Sequence, residues 1–169
     1  PATMKSLDDQ TFKDMEIVVN DGVLELTAQI NPPGTLNAGP PRSVIDTWDW
    51  NGTDYALALR EDEGARYRIH AMYDADDLFS AGEYRSALNA YADLRNDGQL
   101  LAWNVAGETE VLRAYSAFRI VIGFARLRSP RAEDWLNVLL SENPQGSPGH
   151  GFAAMGASFM DNFRATNDT

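Results

Sequence analysis

The carboxylates with the most suggestive spacing are Asp49 and Asp54, which flank an Asn51-Gly52 pair, with Asp46 just before them. Asn-Gly is the preferred pair for a two-residue hairpin loop, and such a loop would place Asp49 directly opposite Asp54. Two carboxylates about 5 to 9 Å apart can serve a hydrolase that acts on a polysaccharide or a peptide. Carboxylate oxygens are also ligands for Ca²⁺.

The alternation of side chains along a strand favours a simpler interpretation of the same segment. Asp49 and Asp54 would share one face of the hairpin, and Asp46 would lie on the opposite face from Asp49. The aromatic side chains would form a dry face, where Trp48 faces Tyr55, and the two acids would face water. We therefore assign no catalytic residue, metal or cofactor, and expect no enzyme. Asp49 and Asp54 stay weak metal candidates, with a carboxylate hydrolase and a Ca²⁺-dependent ligand-binding module as alternatives.

Composition limits the classes of partner. The chain has 169 residues, no cysteine and a net charge of −11. This acidity argues against nucleic acid as a partner, since phosphate binding needs basic patches. The absence of cysteine excludes disulfides and thiol chemistry. No apolar run is long enough for a membrane span. Because the sequence begins Pro-Ala-Thr, without an initiator Met, we expect a piece of a longer protein.

The period of the apolar pattern changes near residue 66 and predicts an α+β fold. A flexible segment is expected over 1–11 and a tail over 166–169. Residues 12–69 predict a small antiparallel β unit of about four strands, and 70–165 predict four to five antiparallel helices against which that unit packs. The expected strands are 15–19, 23–30, 43–50 and 53–59, with a last short strand over 66–69. The expected helices are 72–81, 84–95, 108–127, 130–142 and 152–164.

One stretch of the helical half carries a family resemblance. Residues 81–94 read AGEYRSALNAYADL, in which a helix-ending Gly is followed by small and aromatic residues at helical spacing. This stretch resembles the turn and second helix of a tetratricopeptide repeat, and the resemblance extends over about residues 71–164. In the long helix 108–127 both Ala117 and Gly123 fit the small close-contact position. The residues that match the repeat in order are Gly82, Tyr84, Ala87, Tyr91 and Leu94.

The resemblance implies a helical array that binds proteins or peptides and performs no catalysis. Its first helices would carry the ligand, so the candidate binding residues lie there and in the loop before the last helix. They are Met72, Tyr73, Asp76, Phe79 and His150. The last helix has no predicted partner, and its apolar stripe predicts a possible homo-oligomer contact through Phe152, Met155, Phe159 and Phe163.

The front half bears a second resemblance. A Trp-x-Trp-Asn-Gly-x-x-Tyr hairpin, which contains Trp48, Trp50 and Tyr55, is similar to the closing strands of a blade in bacterial FG-GAP-type propeller proteins. That resemblance implies an exported bacterial protein, either secreted or lipid-anchored. The function expected from both resemblances is a protein-interaction or assembly module of a larger exported protein.

Overall fold

The structure is a computed structural model that describes residues 12–20, 23–30, 40–103 and 105–167. It confirms the α+β class. The chain divides after Gly64 into two compact units, one of strands and one of helices, and each is described by itself. The expected segment 1–11 and the first hairpin's turn at Asp21-Gly22 lie outside the described residues.

The first unit is an antiparallel meander. Strand β1 (Phe12–Asn20) pairs with β2 (Val23–Ile30), which pairs with β3 (Val44–Trp50), and β3 pairs with β4 (Tyr55–Asp62). All three pairings are antiparallel. The β3–β4 register shifts by one residue after Thr47, so that Trp48 pairs with Leu57 while Thr47 pairs with Leu59. Such a bulge changes which residues of β4 share a face with β3.

The hairpin between β3 and β4 differs from the expected two-residue loop. Its last pair is Trp50 with Tyr55, so four residues form the loop, and Asp49 pairs with Ala56 instead of facing Asp54. The Asn51 side-chain oxygen accepts hydrogen bonds from the backbone N–H groups of Thr53 and Asp54, both at 3.0 Å. A two-residue type I′ turn needs positive φ at both central residues, but only Gly52 of the pair has it. The asparagine side chain therefore organises a wider turn.

The second unit contains helices α1 (Arg68–Ser80), α2 (Tyr84–Asn96), α3 (Glu108–Arg126), α4 (Arg131–Glu142) and α5 (His150–Asn167). The prediction of a short strand over 66–69 is wrong. Tyr67 forms one isolated bridge with Leu101, and α1 begins at Arg68. The buried Arg68 side chain donates hydrogen bonds to the main-chain oxygens of Leu94 and Asp97 at the end of α2. It thus satisfies carbonyls that a helix end leaves unpaired.

The helices form two layers. Helix α3 is central, because it packs against each of the other four. The odd-numbered helices α1, α3 and α5 follow one another in one layer, while α2 and α4 each pack against the helices that precede and follow them in the chain. One core cluster joins α1, α2 and α3 around Tyr91 and Ile120, and a second joins α3, α4 and α5 around Val121 and Leu139. None of the described helices combines the length and apolarity that crossing a membrane requires.

Both small residues of α3 that compete for the close-contact position lie in tight surroundings. Ala117 is fully buried in the α3–α4–α5 core. A Cβ built on Gly123 would lie 2.9 Å from a methyl carbon of Leu88 and 3.4 Å from the Phe79 ring. The two positions serve different neighbours, so α3 approaches closely on two sides. The ambiguity in the sequence reflects the central place of this helix.

Candidate functional site

A network of polar contacts in the helical unit is centred on the carboxylate of Asp76. Tyr115 donates to it, with its hydroxyl oxygen 2.8 Å from both Oδ1 and Oδ2. The hydroxyl group of Tyr91 also donates a hydrogen bond to Oδ1, and the Nε of Arg119 lies 3.1 Å from the same oxygen. The Tyr91 hydroxyl in turn accepts a hydrogen bond of 2.9 Å from Arg119 Nε. Three donors thus share a single carboxylate.

Three helices supply this network. Asp76 comes from α1, Tyr91 from α2, and both Tyr115 and Arg119 from α3. Tyr115 and Arg119 are four residues apart, so they lie on the same face of α3, one turn from each other. Tyr91 is fully buried, whereas the side chains of Asp76 and Arg119 are 26% and 20% exposed. The network therefore begins in the core and reaches the surface between α1 and α3.

The ring of Phe79 packs against the guanidinium of Arg119. The guanidinium carbon lies 4.0 Å from the centre of the Phe79 ring, a cation–π arrangement, and Phe79 is one turn after Asp76 on α1. The Nε edge of the guanidinium is used by Tyr91 and Asp76. Its terminal nitrogens have no partner among the described residues, and they are not enclosed. Arg119 is thus fixed on one edge and open on the other.

The pKa values follow from this environment. Burial, together with the hydrogen bond to Asp76, raises the pKa of Tyr115 to about 12. The same two causes raise the pKa of Tyr91 further. For Arg119 burial acts to lower the pKa, but the hydrogen bond with Tyr91 and the charge of Asp76 outweigh it, so the pKa is raised. Both phenols therefore stay protonated and act as hydrogen-bond donors at neutral pH.

Aromatic rings extend the site toward α5. The Tyr115 ring lies 5.4 Å from the ring of Phe152 in an edge-on contact, and Phe152 lies 6.0 Å from Phe118. Met155 follows Phe152 by one helical turn and is 52% exposed. The resulting surface crosses the α1–α3–α5 layer, with Phe79 and Arg119 at one end and Phe152 and Met155 at the other. We call it the odd-helix surface.

The structure separates the predicted binding residues into two groups. Asp76 and Phe79 belong to the network, and Met72 and Tyr73 lie on the preceding turn of α1, where Tyr73 is 43% exposed. His150 begins α5, with its Nδ1 3.4 Å from the main-chain oxygen of Asn143 at the end of α4. Within the described residues no hydrogen bond, ion pair or ring contact joins His150 to the members of the Asp76 network.

Sequence reasoning missed Tyr115 and Arg119. Both lie in α3, whose apolar residues surround the helix and hide its register. Their i, i+4 spacing was the available signal, but an isolated Tyr–Arg pair is common on helices. Only the packing of α3 against α1 shows that the pair faces an aspartate.

The apolar stripe of α5 is less exposed than its sequence indicates. Phe152, Phe159 and Phe163 pack against the α3–α4–α5 core, and the rings of Phe159 and Phe163 stack 6.0 Å apart. Met155 is the exposed member of the stripe. The chain itself therefore covers most of the surface expected to form a homo-oligomer contact.

The exposure of the β3–β4 acids Asp49 and Asp54 matches the expectation, but the exposure of the aromatic residues does not. Asp49 and Asp54 are both exposed, but so are Trp50 and Tyr55, at 38% and 37%. The buried acid is Asp46, which is 1% exposed and accepts two hydrogen bonds of 2.6 Å from Arg60. No group of three or more potential metal ligands occurs in the part of the chain that the structure describes.

Comparisons of the chain with protein-family models, with curated proteins and with solved structures found no match.

Proposed function

We propose that the helical unit is a protein-interaction module of tetratricopeptide-like design, which binds a segment of a partner protein along the odd-helix surface. The observation that carries the proposal is the network in which Asp76 of α1 holds Tyr115 and Arg119 of α3. It fixes neighbouring helices at a surface and leaves part of Arg119 unused. Arrays of paired helices commonly bind partners on an extended concave surface.

The composition of the odd-helix surface supports this use. Tyrosine, phenylalanine, methionine and arginine are the residues enriched at the centres of protein interfaces. Here Phe79, Tyr115, Phe152, Met155 and Arg119 supply all four types within one layer of helices. The Asp76 carboxylate is already shared by three donors, and within the described residues no serine, threonine or lysine side chain is bonded to it. This arrangement favours recognition over catalysis.

The proposal is tested by selecting binders from a random peptide library displayed on phage and mapping them onto the isotopically labelled chain by NMR. We expect amide shifts at residues of α1, α3 and α5 that line the odd-helix surface. Shifts confined to α2 and α4, or to the strands, would contradict the proposal.

A matched pair of variants sharpens the test. Met155→Ser removes an exposed apolar side chain from the odd-helix surface, whereas Leu140→Ser removes one from α4, where Leu140 is 41% exposed. We expect Met155→Ser to weaken peptide binding several-fold and Leu140→Ser to leave it unchanged. Equal effects of the two substitutions would count against this surface.

A further inference from the structure

We infer that the ligand of the odd-helix surface is an uncharged, apolar peptide segment, and that Arg119 selects it by donating hydrogen bonds to a main-chain carbonyl. This inference rests on the proposed function and specifies the chemistry of its partner. It follows from which N–H groups of the Arg119 guanidinium already have partners among the described residues and which do not.

The first step concerns the unused donors. A guanidinium carries five N–H groups, of which one is on Nε and four are on the terminal nitrogens. In this chain Nε serves Tyr91 and Asp76, while the terminal nitrogens have no partner among the described residues and solvent reaches them. The Phe79 ring, 4.0 Å from the guanidinium carbon, prevents the group from turning freely. The donors are therefore held in a set direction before any ligand arrives.

The second step concerns charge. Asp76 lies 3.1 Å from Arg119, so the pair is close to neutral as a unit. A ligand carboxylate on the open edge would be attracted by Arg119 but repelled by Asp76 from only slightly farther away. The chain as a whole has a net charge of −11, which opposes the approach of an acidic segment. A carbonyl oxygen takes the same hydrogen bonds without this repulsion.

The third step concerns the neighbouring surface. From Arg119 the contacts run through Tyr115 to Phe152, and Met155 follows on α5. Aromatic and thioether side chains bind apolar groups of varied shape. A segment with aliphatic or aromatic side chains would cover these residues while its backbone lies beside Arg119.

The test uses the composition of the peptides selected on phage and two measurements of binding affinity. First, the enriched peptides should contain fewer Asp and Glu residues than the unselected library. Second, replacing one peptide bond of a bound peptide by an ester weakens its carbonyl as an acceptor. At one position along the peptide we expect this change to lower affinity by about threefold to tenfold, in keeping with the loss of one hydrogen bond. Third, that loss should disappear in Arg119→Gln, because the shorter amide side chain ends near the position of Nε and does not reach where the terminal guanidinium nitrogens lie.

Arg85 provides the matched control, since it is exposed on α2 and lies outside the network. Arg85→Gln should keep both the affinity and the ester effect. If Arg119→Gln does not fold, the peptide composition and the ester scan on the unchanged chain still decide.

The outcomes separate the inference from the proposed function. Peptides that bind the odd-helix surface but are rich in acids, or that show the same ester effect with and without Arg119, overturn the inference alone. Failure to enrich any peptide that maps to α1, α3 and α5 overturns both.

Discussion

The hydroxyl group of Tyr115 on α3 donates a hydrogen bond to the carboxylate of Asp76 on α1, with the phenolic oxygen 2.8 Å from each carboxylate oxygen. The two residues are 39 positions apart, and a whole helix, α2, lies between them in the chain. This contact ties two successive helices of one layer together at the place where Arg119 reaches the surface. It is therefore both a packing contact and a support for the proposed binding surface.

The first prediction concerns the strength of that contact. Tyr115→Phe removes the hydroxyl and should lower the free energy of unfolding by about 1.5 kcal/mol or more, the usual worth of a hydrogen bond to a charged group. Tyr73→Phe is the control, because Tyr73 is 43% exposed and forms no hydrogen bond with the part of the chain that the structure describes. It should change stability by less than about 0.5 kcal/mol. Urea unfolding of the helical unit measures both, and equal effects would refute the role of the hydroxyl.

A double-mutant cycle extends this test. Asp76→Asn and Tyr115→Phe should together cost less than the sum of their separate costs, because each removes the partner of the other. Additive costs would show that the two groups do not interact in solution.

The second prediction concerns alkaline pH. The folded chain raises the pKa of Tyr115 from 10 to about 12, and the pKa of Tyr91 is raised as well. Between these values the folded state holds protons that the unfolded state has released. The contribution of these two tyrosines to the free energy of unfolding is therefore fully present below pH 10 and is lost as the pH rises through 12. Unfolding measured across this range should show a smaller decline for Tyr115→Phe than for the unchanged chain, and parallel declines would disprove the assignment.

The third prediction concerns the start of α5. A Cβ on Gly149 would clash with the side-chain oxygen of Asn143 and with the Cβ of Ala114, whereas Gly151 has open space around it. Gly149→Ala should destabilise the chain by about 1 to 3 kcal/mol through overpacking. Gly151→Ala should be neutral or stabilise by up to about 1 kcal/mol, since alanine favours helix. Thermal unfolding compares the two, and a neutral Gly149→Ala would mean that α5 can shift without cost.

The fourth prediction concerns the strand unit. Asp46 is 1% exposed and bonded twice to Arg60, whereas Asp49 is exposed. Asp46→Asn should lower the unfolding midpoint of this unit clearly, because the buried carboxylate loses its ion pair with the exposed guanidinium of Arg60. Asp49→Asn should leave the midpoint nearly unchanged. A larger decrease of the midpoint in Asp49→Asn than in Asp46→Asn would contradict this prediction and give Asp49 a specific role.

Several elements could be predicted because their signals are local. The helix over 84–96 has apolar residues at spacings of three and four and a Gly just before it, and the structure ends its predecessor at Ser80 with Gly82 at positive φ. The strand over 23–30 is rich in β-branched and apolar residues and was placed correctly. The wrong strand prediction over 66–69 also rests on a local signal, because four alternating residues suit a strand or the start of a helix equally well.

The sequence by itself determined the class of the fold, the number of helices with their approximate positions and the acidic, cysteine-free character of the chain, because these depend on residue type and short-range periodicity. Tertiary structure alone decided that Asp76, Tyr91, Tyr115 and Arg119 meet, since no local pattern links three helices. It also decided which acid of the hairpin is buried. Asp49 and Asp54 had the suggestive spacing, but the wider turn separated them, and Asp46 found its partner across the ladder in Arg60.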